Sequence, residues 1–464
     1  MRISRVLIIV LFTLQWITSQ AQNPVNLYDF AYTPQASLHN PSYHTYRDWH
    51  ISIPVLTNKV MAGTSGVVVQ DLFADNGVPF ADKLKTAVYK MSAKDRFLAT
   101  QTNEIINIGK RYKKGYYLSA GYYQEFNAFS TFPEDMSRMF YEGNTQINRK
   151  YRIDGYSALA EMLGVYHFGI RKNVDHEESI GLRFKLYLSG FNAQTRNNLG
   201  MITTIEGAEN IYRHVLSEFD SELNTSGITN FDFEYFDYGQ LLKRITFTGN
   251  KGVGIDLGYS KQIDYHWYLS ASLIDFGFLY HNKGVTNYVF KGSYTTEGMY
   301  ISTETTGAED YWVQFKGDFK EKVELGKTFD SYISWRPIKL NIFGQYSFGE
   351  RYNFECDYHG ESQRSRSLKH SIGGLVHLEK RNEYVLPYAS LFYERNFNDK
   401  ALLRLTYAAD RFSFTNLGLA VGVNVWHVNF FAGANNIIGL FDLTKANTAS
   451  VQFGLSIVMD DNRY

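Results

Sequence analysis

The side chains able to do chemistry are scattered along this sequence rather than gathered in a catalytic motif. The 464-residue chain contains no Gly-x-Ser-x-Gly, His-Glu-x-x-His, phosphate-loop or paired-cysteine pattern, the arrangements that place a nucleophile, a metal ion or a phosphate. "GTSG" (63–66) lacks the spacing of a nucleophile turn, and "DHEES" (175–179) falls in a predicted hairpin turn. We therefore predict that the protein is not an enzyme and has no metal site and no cofactor.

A second set of polar side chains occurs where the sequence predicts strands with one face turned to an enclosed interior. The set comprises Glu125, Glu161, Arg171, Arg183, Lys185, Asp256, Arg404 and Asp410. Because both signs of charge are present, these side chains would either pair and brace the interior or line a polar path that clamps a charged group of a ligand. Ion-selective pores use rings of one sign, so the mixture favours bracing.

The segment "SIGLRFKLYLSG" (179–190) shows how such side chains would be positioned. Every second residue from Ile180 to Leu188 is apolar, and Arg183 and Lys185 lie between them. Successive side chains of a strand point to opposite faces. In a membrane barrel the apolar face would meet lipid, because turning both cations to lipid would cost about 2–4 kcal/mol each near the bilayer centre.

Similar segments recur along the chain and are joined by short polar turns such as "RYKKG", "EKRN" and "NFNDK". Their length of about ten residues is what a tilted strand needs to cross a bilayer, whereas soluble strands average about five or six. We therefore predict an all-β fold, a closed antiparallel transmembrane β-barrel of about 14 strands, within a range of about 12–16.

Three stretches differ from this pattern and predict short loop helices. The first, "PFADKLKTAVYKM" within residues 70–97, is helix-like in composition. The second, "PEDMSRMFYEGN" (133–144), begins with Pro133 before two acidic residues, which suits a first helical turn. In the third, "AENIYRHVLSEFDSEL" (208–223), apolar residues from Ile211 to Leu223 recur every four positions, as on one helix face.

The N-terminal region predicts export. Arginines precede an apolar run from Val6 to Trp16, which is typical of a secretory signal peptide. We assign residues 1–21 to that peptide, 22–48 to an N-terminal plug or periplasmic segment, and 49–464 to the barrel. Inward glycines such as Gly258 and Gly422 would let the plug approach the wall. The mature protein would lie in the outer membrane of a Gram-negative bacterium, surrounded by outer-membrane lipid.

The composition excludes one class of partner and agrees with a membrane barrel. Lys and Arg together number 47, as do Asp and Glu, so the net charge is zero and predicts no nucleic-acid partner. Aromatic residues make up 16% of the chain, which suits the girdles of an outer-membrane barrel. Cys356 is the only cysteine, so the chain has no internal disulfide.

Three stretches carry a resemblance to a known family: "LHNPSY" (38–43), "FTGNKGVGIDLGYSKQID" (247–264) and "YLSASLIDFGFLYHN" (268–282). They resemble an uncharacterised family of Bacteroidota outer-membrane barrels and, more distantly, the long-chain fatty-acid transporter (FadL-like) barrels. The plug of the latter carries an Asn-Pro-Ala element. Asn40 and Pro41 match that element, and Ser42 stands in the alanine position.

This resemblance implies two functions. FadL-like barrels include transporters, which implies uptake or passage of a hydrophobic or amphipathic small molecule. They also include accessory subunits of type IX secretion, which implies a non-transporting barrel that anchors or assists a surface or secretion protein complex. A continuous apolar pocket behind Asn40 would favour transport, whereas a filled lumen with a large apolar patch on the loops would favour the protein partner.

Overall fold

The structure is a computed structural model. It describes residues 27–45, 47–54, 56–92, 95–113, 115–131, 134–208, 211–227, 237–296, 325–351, 368–381, 384–397, 400–410, 412–414 and 416–459. The expected signal peptide (1–21) and Cys356 lie outside these ranges.

Antiparallel strands form a closed barrel, which confirms the predicted fold class. In chain order the strands are β1 (Trp49–Ser52), β2 (Thr57–Thr64), β3 (Arg96–Arg111), β4 (Tyr116–Thr131), β5 (Lys150–Arg152), β6 (Ala158–Asn173), β7 (Glu178–Glu206), β8 (Tyr212–Ser226), β9 (Asn250–Gln262), β10 (Trp267–His281), β11 (Val285–Thr296), β12 (Leu325–Thr328), β13 (Tyr332–Trp335), β14 (Ile338–Arg351), β15 (Leu368–Arg381), β16 (Tyr384–Phe397), β17 (Ala401–Asp410), β18 (Asn416–Val425), β19 (Val428–Asn435) and β20 (Thr448–Met459). β1 and β2 are two halves of one interrupted strand, because both pair with β3 on one side and with β20 on the other. That pairing closes the barrel.

Fourteen strands of the described chain make up the wall. They are the interrupted β1–β2 strand, β3, β4, β6, β7, β9, β10 and β14 to β20. The C-terminal part of β7 extends past the wall and pairs with β8, which in turn pairs with β11. The predicted strand number is therefore confirmed, and a small sheet continues the barrel beyond one end.

Short helices lie between the strands. They are α1 (Val69–Phe73), α2 (Phe80–Lys90), α3 (Glu134–Glu142), α4 (Tyr238–Lys243) and α5 (Ile437–Phe441). Two predicted helices are confirmed in α2 and α3, and α3 carries Glu134 and Asp135 in its first turn, where acidic side chains favour the helix dipole. In the described residues, no helix combines the length and apolar character needed to cross a membrane.

The helix predicted over 208–223 is wrong, because most of that stretch forms β8. β8 pairs with β7 along one edge and with β11 along the other, so its backbone groups are bonded in sheet ladders. Phe219 also packs against Phe290 of β11, with ring centroids 4.8 Å apart. Pairing on both edges outweighs the helical spacing of four apolar side chains.

Apolar side chains cover the outside of the wall, and polar side chains face its interior. On β7, Ile180 and Phe184 are 46% and 50% exposed, whereas Arg183 and Lys185 are buried. The same alternation continues on β9, where Val253, Ile255 and Leu257 are exposed. This arrangement gives the barrel an apolar belt of the kind that lipid surrounds.

A segment between β8 and β9, residues 237–249, leaves the sheet and packs on the outside of the wall; we call it the outer segment. It consists of α4 and a π-helical turn, Arg244–Thr248. Ile245 of this turn is fully buried, and its carbonyl oxygen accepts a hydrogen bond from the Tyr122 hydroxyl at 3.2 Å. Gly164 makes room for it, because a Cβ there would lie closer than 3.0 Å to the Ile245 main chain.

Candidate functional site

Residues 27–45 lie inside the barrel and form a compact, largely buried segment, called here the N-terminal segment. It contains a 3-10 turn, Pro34–Leu38. Leu27, Phe30 and Ala31 pack against barrel residues that include Leu402 and Phe431. The apolar side chains of the segment therefore have their own small core with one side of the wall, although most inward wall positions are polar.

Two arginines of the wall bind main-chain carbonyl oxygens of this segment. The Arg183 guanidinium donates to the Ser37 carbonyl at 2.7 Å, and the Arg404 guanidinium donates to the Tyr28 carbonyl at 2.9 Å. Arg404 also pairs with Glu394 at 2.8 Å. Two residues predicted to face the lumen thus hold the segment from different strands, β7 and β17.

The Asn40-Pro41 element lies against the wall, and its polar atoms are bonded within and beyond the segment. The Asn40 amide donates to the Asp29 carboxylate at 3.3 Å, and its oxygen accepts from the Ser42 hydroxyl at 2.7 Å. The Ser42 hydroxyl also lies 2.7 Å from that of Ser260 on β9. Serine at this position therefore joins the element to the wall, a contact that an alanine methyl group could not make.

Gly181 of β7 is expected to be essential for this docking. A Cβ at position 181 would lie closer than 3.0 Å to main-chain atoms of Pro41 and Ser42, and main chain cannot turn aside as a flexible side chain can. We expect Gly181→Val to displace the N-terminal segment while the strands still pair. Limited proteolysis of the purified barrel, read by mass spectrometry, should then show new cleavage within residues 27–45.

Gly344→Ala is the matched control, because its added Cβ would meet only the end of the Leu269 side chain, at 3.2 Å. This variant should keep residues 27–45 protected. Equal protection of the segment in Gly181→Val and Gly344→Ala would mean that the close contact at Gly181 is not needed for docking.

Deeper in the lumen, Glu125 and Glu161 share one arginine, Arg336. One Arg336 nitrogen lies 2.8 Å from Glu125, and the other contacts Glu161. Asn127 donates to both carboxylates. All of these side chains are buried, so the cluster is an ion-paired brace that joins β4 and β6 to the chain between β13 and β14.

Lys185 and Asp256 belong to a second buried cluster. The Lys185 ammonium lies 2.9 Å from Asp256 and 2.6 Å from Asp275, and Lys339 lies 2.7 Å from the other oxygen of Asp275. Arg183 approaches Asp256 at 3.5 Å. Together with the Arg336 brace, this cluster forms what we call the ion-pair layer.

Besides Arg404, two predicted residues lie apart from these clusters. Arg171 contacts His44 of the N-terminal segment at 2.6 Å. Asp410 accepts hydrogen bonds from the main-chain N–H groups of Phe412 and Ser413, so it closes the turn between β17 and β18. The structure therefore brings Glu125 and Glu161 into one cluster and Arg183, Lys185 and Asp256 into another, and it leaves Asp410 outside both.

Sequence reasoning missed Arg336, Asp275 and Lys339. Asp275 lies at an irregularity of β10, between Leu273 and Phe276, and has a positive φ of 61°. Arg336 lies between the short strand β13 and β14. Strict alternation does not apply at a bulge or a strand break, so a count of every second residue passes over such positions. For Asp275 the sequence did offer a signal, because it is the only acidic residue in the mostly apolar stretch "SLIDFGFL" (272–279).

A cavity of about 130 Å³ lies between the N-terminal segment and the ion-pair layer. Apolar side chains on its wall include Leu27, Leu38 and Ile274, and Lys59 and Glu104 are among its charged ones. His39 also lines it, and burial, reinforced by nearby lysines, lowers the pKa of His39 well below its usual value. No group of three or more described His, Cys, Asp or Glu side chains is arranged to hold a metal ion.

The strand pairing and the enclosed interior define a closed fourteen-stranded β-barrel that holds an N-terminal segment in its lumen. The chain belongs to DUF5723, a family of unknown function, whose sequence profile matches residues 41–435. The predicted membership in an uncharacterised barrel family is thereby confirmed. No curated protein matches the sequence significantly.

Several solved barrels are similar to this chain at very low identity. The toluene transporter TbuX of Ralstonia pickettii shares 9% identity over 95% of this chain and 94% of its own, with a TM-score of 0.40. A Pseudomonas aeruginosa FadL homologue shares 9% over 93% and 95%, with a TM-score of 0.43. The translocator domain of the autotransporter NalP from Neisseria meningitidis shares 7% over 91% and 92%, with a TM-score of 0.34. These likenesses assign no activity to this chain.

Proposed function

We propose that this chain is an outer-membrane barrel that receives a small amphipathic molecule in its internal cavity. The cavity itself carries the proposal, because apolar side chains of the N-terminal segment line one part of it and polar side chains of the wall line another. A molecule with an apolar part and a polar part would satisfy both surfaces. The outward apolar belt supports a location in a lipid bilayer.

The N-terminal segment acts, in this proposal, as the plug of the barrel. It lies on one side of the cavity, and the ion-pair layer lies on the other. Passage of a ligand would therefore require one of the two to move. The segment is the better candidate, because single hydrogen bonds hold it, including those from Arg171, Arg183 and Arg404, whereas the ion-pair layer is tied together by several buried charge pairs.

A second function, a non-transporting subunit of a surface or secretion complex, is favoured by the loops. Phe73 of α1 and Phe140 of α3 are 70% and 73% exposed, and Phe80 of α2 lies beside Phe73 with ring centroids 6.1 Å apart. Exposed aromatic groups of this kind suit a protein partner. If the purified barrel carried a stable protein partner and no cavity ligand, the subunit role would explain the protein better than ligand uptake.

Native mass spectrometry of the barrel, purified from outer membranes in mild detergent without delipidation, tests the two functions. We expect one small amphiphile bound per chain. Thr102→Trp, which fills the cavity, should abolish the added mass, and Ile342→Trp on the lipid-facing side should retain it. A ligand-free barrel that carries a stoichiometric protein would contradict uptake and favour the subunit role.

A further inference from the structure

We propose that the cavity ligand carries an oxyanion, either a carboxylate or a phosphate, and that Lys59 of β2 binds it. This inference rests on the proposed binding function and narrows it to a chemical class. A neutral hydrocarbon would also suit the apolar part of the cavity lining, so the chemical class of the ligand is decided by the polar atoms that face the cavity.

Lys59 lies where the first and last strands close the barrel. Its direct cross-strand partners are Thr102 on β3 and Gln452 on β20. Directly paired residues share a face of the sheet, and all three line the cavity. At the closure of the barrel, the Lys59 ammonium group therefore lies between the Gln452 amide and the Thr102 hydroxyl, and all three groups face the cavity.

Lys59 differs from the other lysines and arginines of the cavity because no carboxylate among the described residues contacts its ammonium group directly. Lys185 and Lys339 pair with Asp275, and Arg381 pairs with Glu379 at 2.6 Å. Within the part of the chain that the structure describes, no ion pair or hydrogen bond of Lys59 is found. An ammonium enclosed in a protein is normally paired, so an anion from outside the chain fits this position.

The neighbouring Gln452 supplies a second donor. It is 2% exposed, and neither its amide nitrogen nor its amide oxygen has a hydrogen-bond partner among the described residues. Buried polar groups are nearly always bonded, so an unpartnered amide beside an unpaired ammonium indicates a missing acceptor. A carboxylate or phosphate oxygen can accept from both groups, and such charge-assisted bonds are the stronger ones.

The carboxylates near Lys59 are engaged elsewhere, since Glu125, Glu379 and Asp275 pair with Arg336, Arg381 and Lys339. Glu104 lines the same cavity, but one of its oxygens accepts from Gln35 of the N-terminal segment at 3.2 Å and the other from Asn107 at 3.1 Å. Glu104 therefore helps to hold the segment and leaves Lys59 to the ligand.

Three probes with the same alkyl chain test the inference: dodecanoate, dodecyl phosphate and dodecanol. Binding to the purified full-length barrel is measured by calorimetry in a neutral detergent. We expect at least one anion to bind about tenfold or more tightly than dodecanol, as a charge-assisted contact predicts. Lys59→Met and Lys59→Gln should remove this preference, whereas Lys59→Arg and the lipid-facing Lys251→Met should keep it. The better anion identifies the headgroup.

Two results would overturn the inference, and they are distinguishable. Equal binding of dodecanol and both anions, or an anion preference that survives Lys59→Met and Lys59→Gln, would exclude an oxyanion site at Lys59 and leave the cavity function standing. Failure of all three probes to bind, together with a ligand-free native mass spectrum, would contradict the cavity function itself. Heat-modified mobility in gels verifies that each variant is folded.

Discussion

We expect the full chain to conduct no ions and the deletion of residues 27–45 to produce an open pore. The N-terminal segment occupies the lumen and packs against the wall through Phe30 and its neighbours. Without it, Arg183 and Arg404 would face water, and a barrel of fourteen strands is wide enough to contain an aqueous path when its interior is empty. Single-channel recording in planar bilayers should show discrete openings for the deletion variant and none for the full chain.

The matched control removes an equally long stretch from the connection between β2 and β3, residues 73–91, which contain α2. This variant should remain closed, because α2 does not lie in the lumen. A silent barrel after deletion of 27–45 would indicate that the ion-pair layer alone closes the lumen, and the role of the segment as a plug would have to be abandoned.

Arg336→Met is expected to lower the free energy of unfolding by about 3–5 kcal/mol, the usual cost of removing one partner from a buried ion pair. Arg336 is the shared partner of Glu125 and Glu161, so its loss leaves two buried carboxylates without a cation. The measurement is urea unfolding in lipid vesicles, followed by tryptophan fluorescence.

Two comparisons show whether charge causes this loss. The triple variant Arg336→Met/Glu125→Gln/Glu161→Gln should recover most of the stability, because neutral amides remove the unpaired charges. Lys291→Met breaks an ion pair with Asp220 whose side chains are 58% and 38% exposed, and should cost about 0–1 kcal/mol. A triple variant as unstable as Arg336→Met would assign the loss to packing instead of charge.

The sequence was sufficient for the barrel because a membrane wall repeats one simple rule. Each wall strand must offer lipid an apolar face, so the alternation around Ile180 and Phe184 predicts both the strand and the inward direction of Arg183. The predicted helices α2 and α3 also agree with a local signal, since each has an acidic residue in its first turn.

The parts that the sequence did not predict depend on contacts between distant strands. β8 has helical spacing, and only its two sheet partners, β7 and β11, decide its conformation. The ion-pair layer depends on Asp275 and Arg336, which reach the lumen from a bulge and from a strand break. Lys59 was also missed, since its significance comes from the lack of a partner among the described residues rather than from a motif.

The anchoring of the N-terminal segment through carbonyl oxygens has a consequence for natural variation. At Tyr28, Ser37 and His39 the wall binds the main chain, which is the same for every amino acid. Substitutions at these three positions therefore leave the anchoring carbonyl groups in place, whereas changes at Arg183 or Arg404 remove the donors that bind Ser37 and Tyr28. Distant relatives should therefore be sought first by the wall residues that hold the segment.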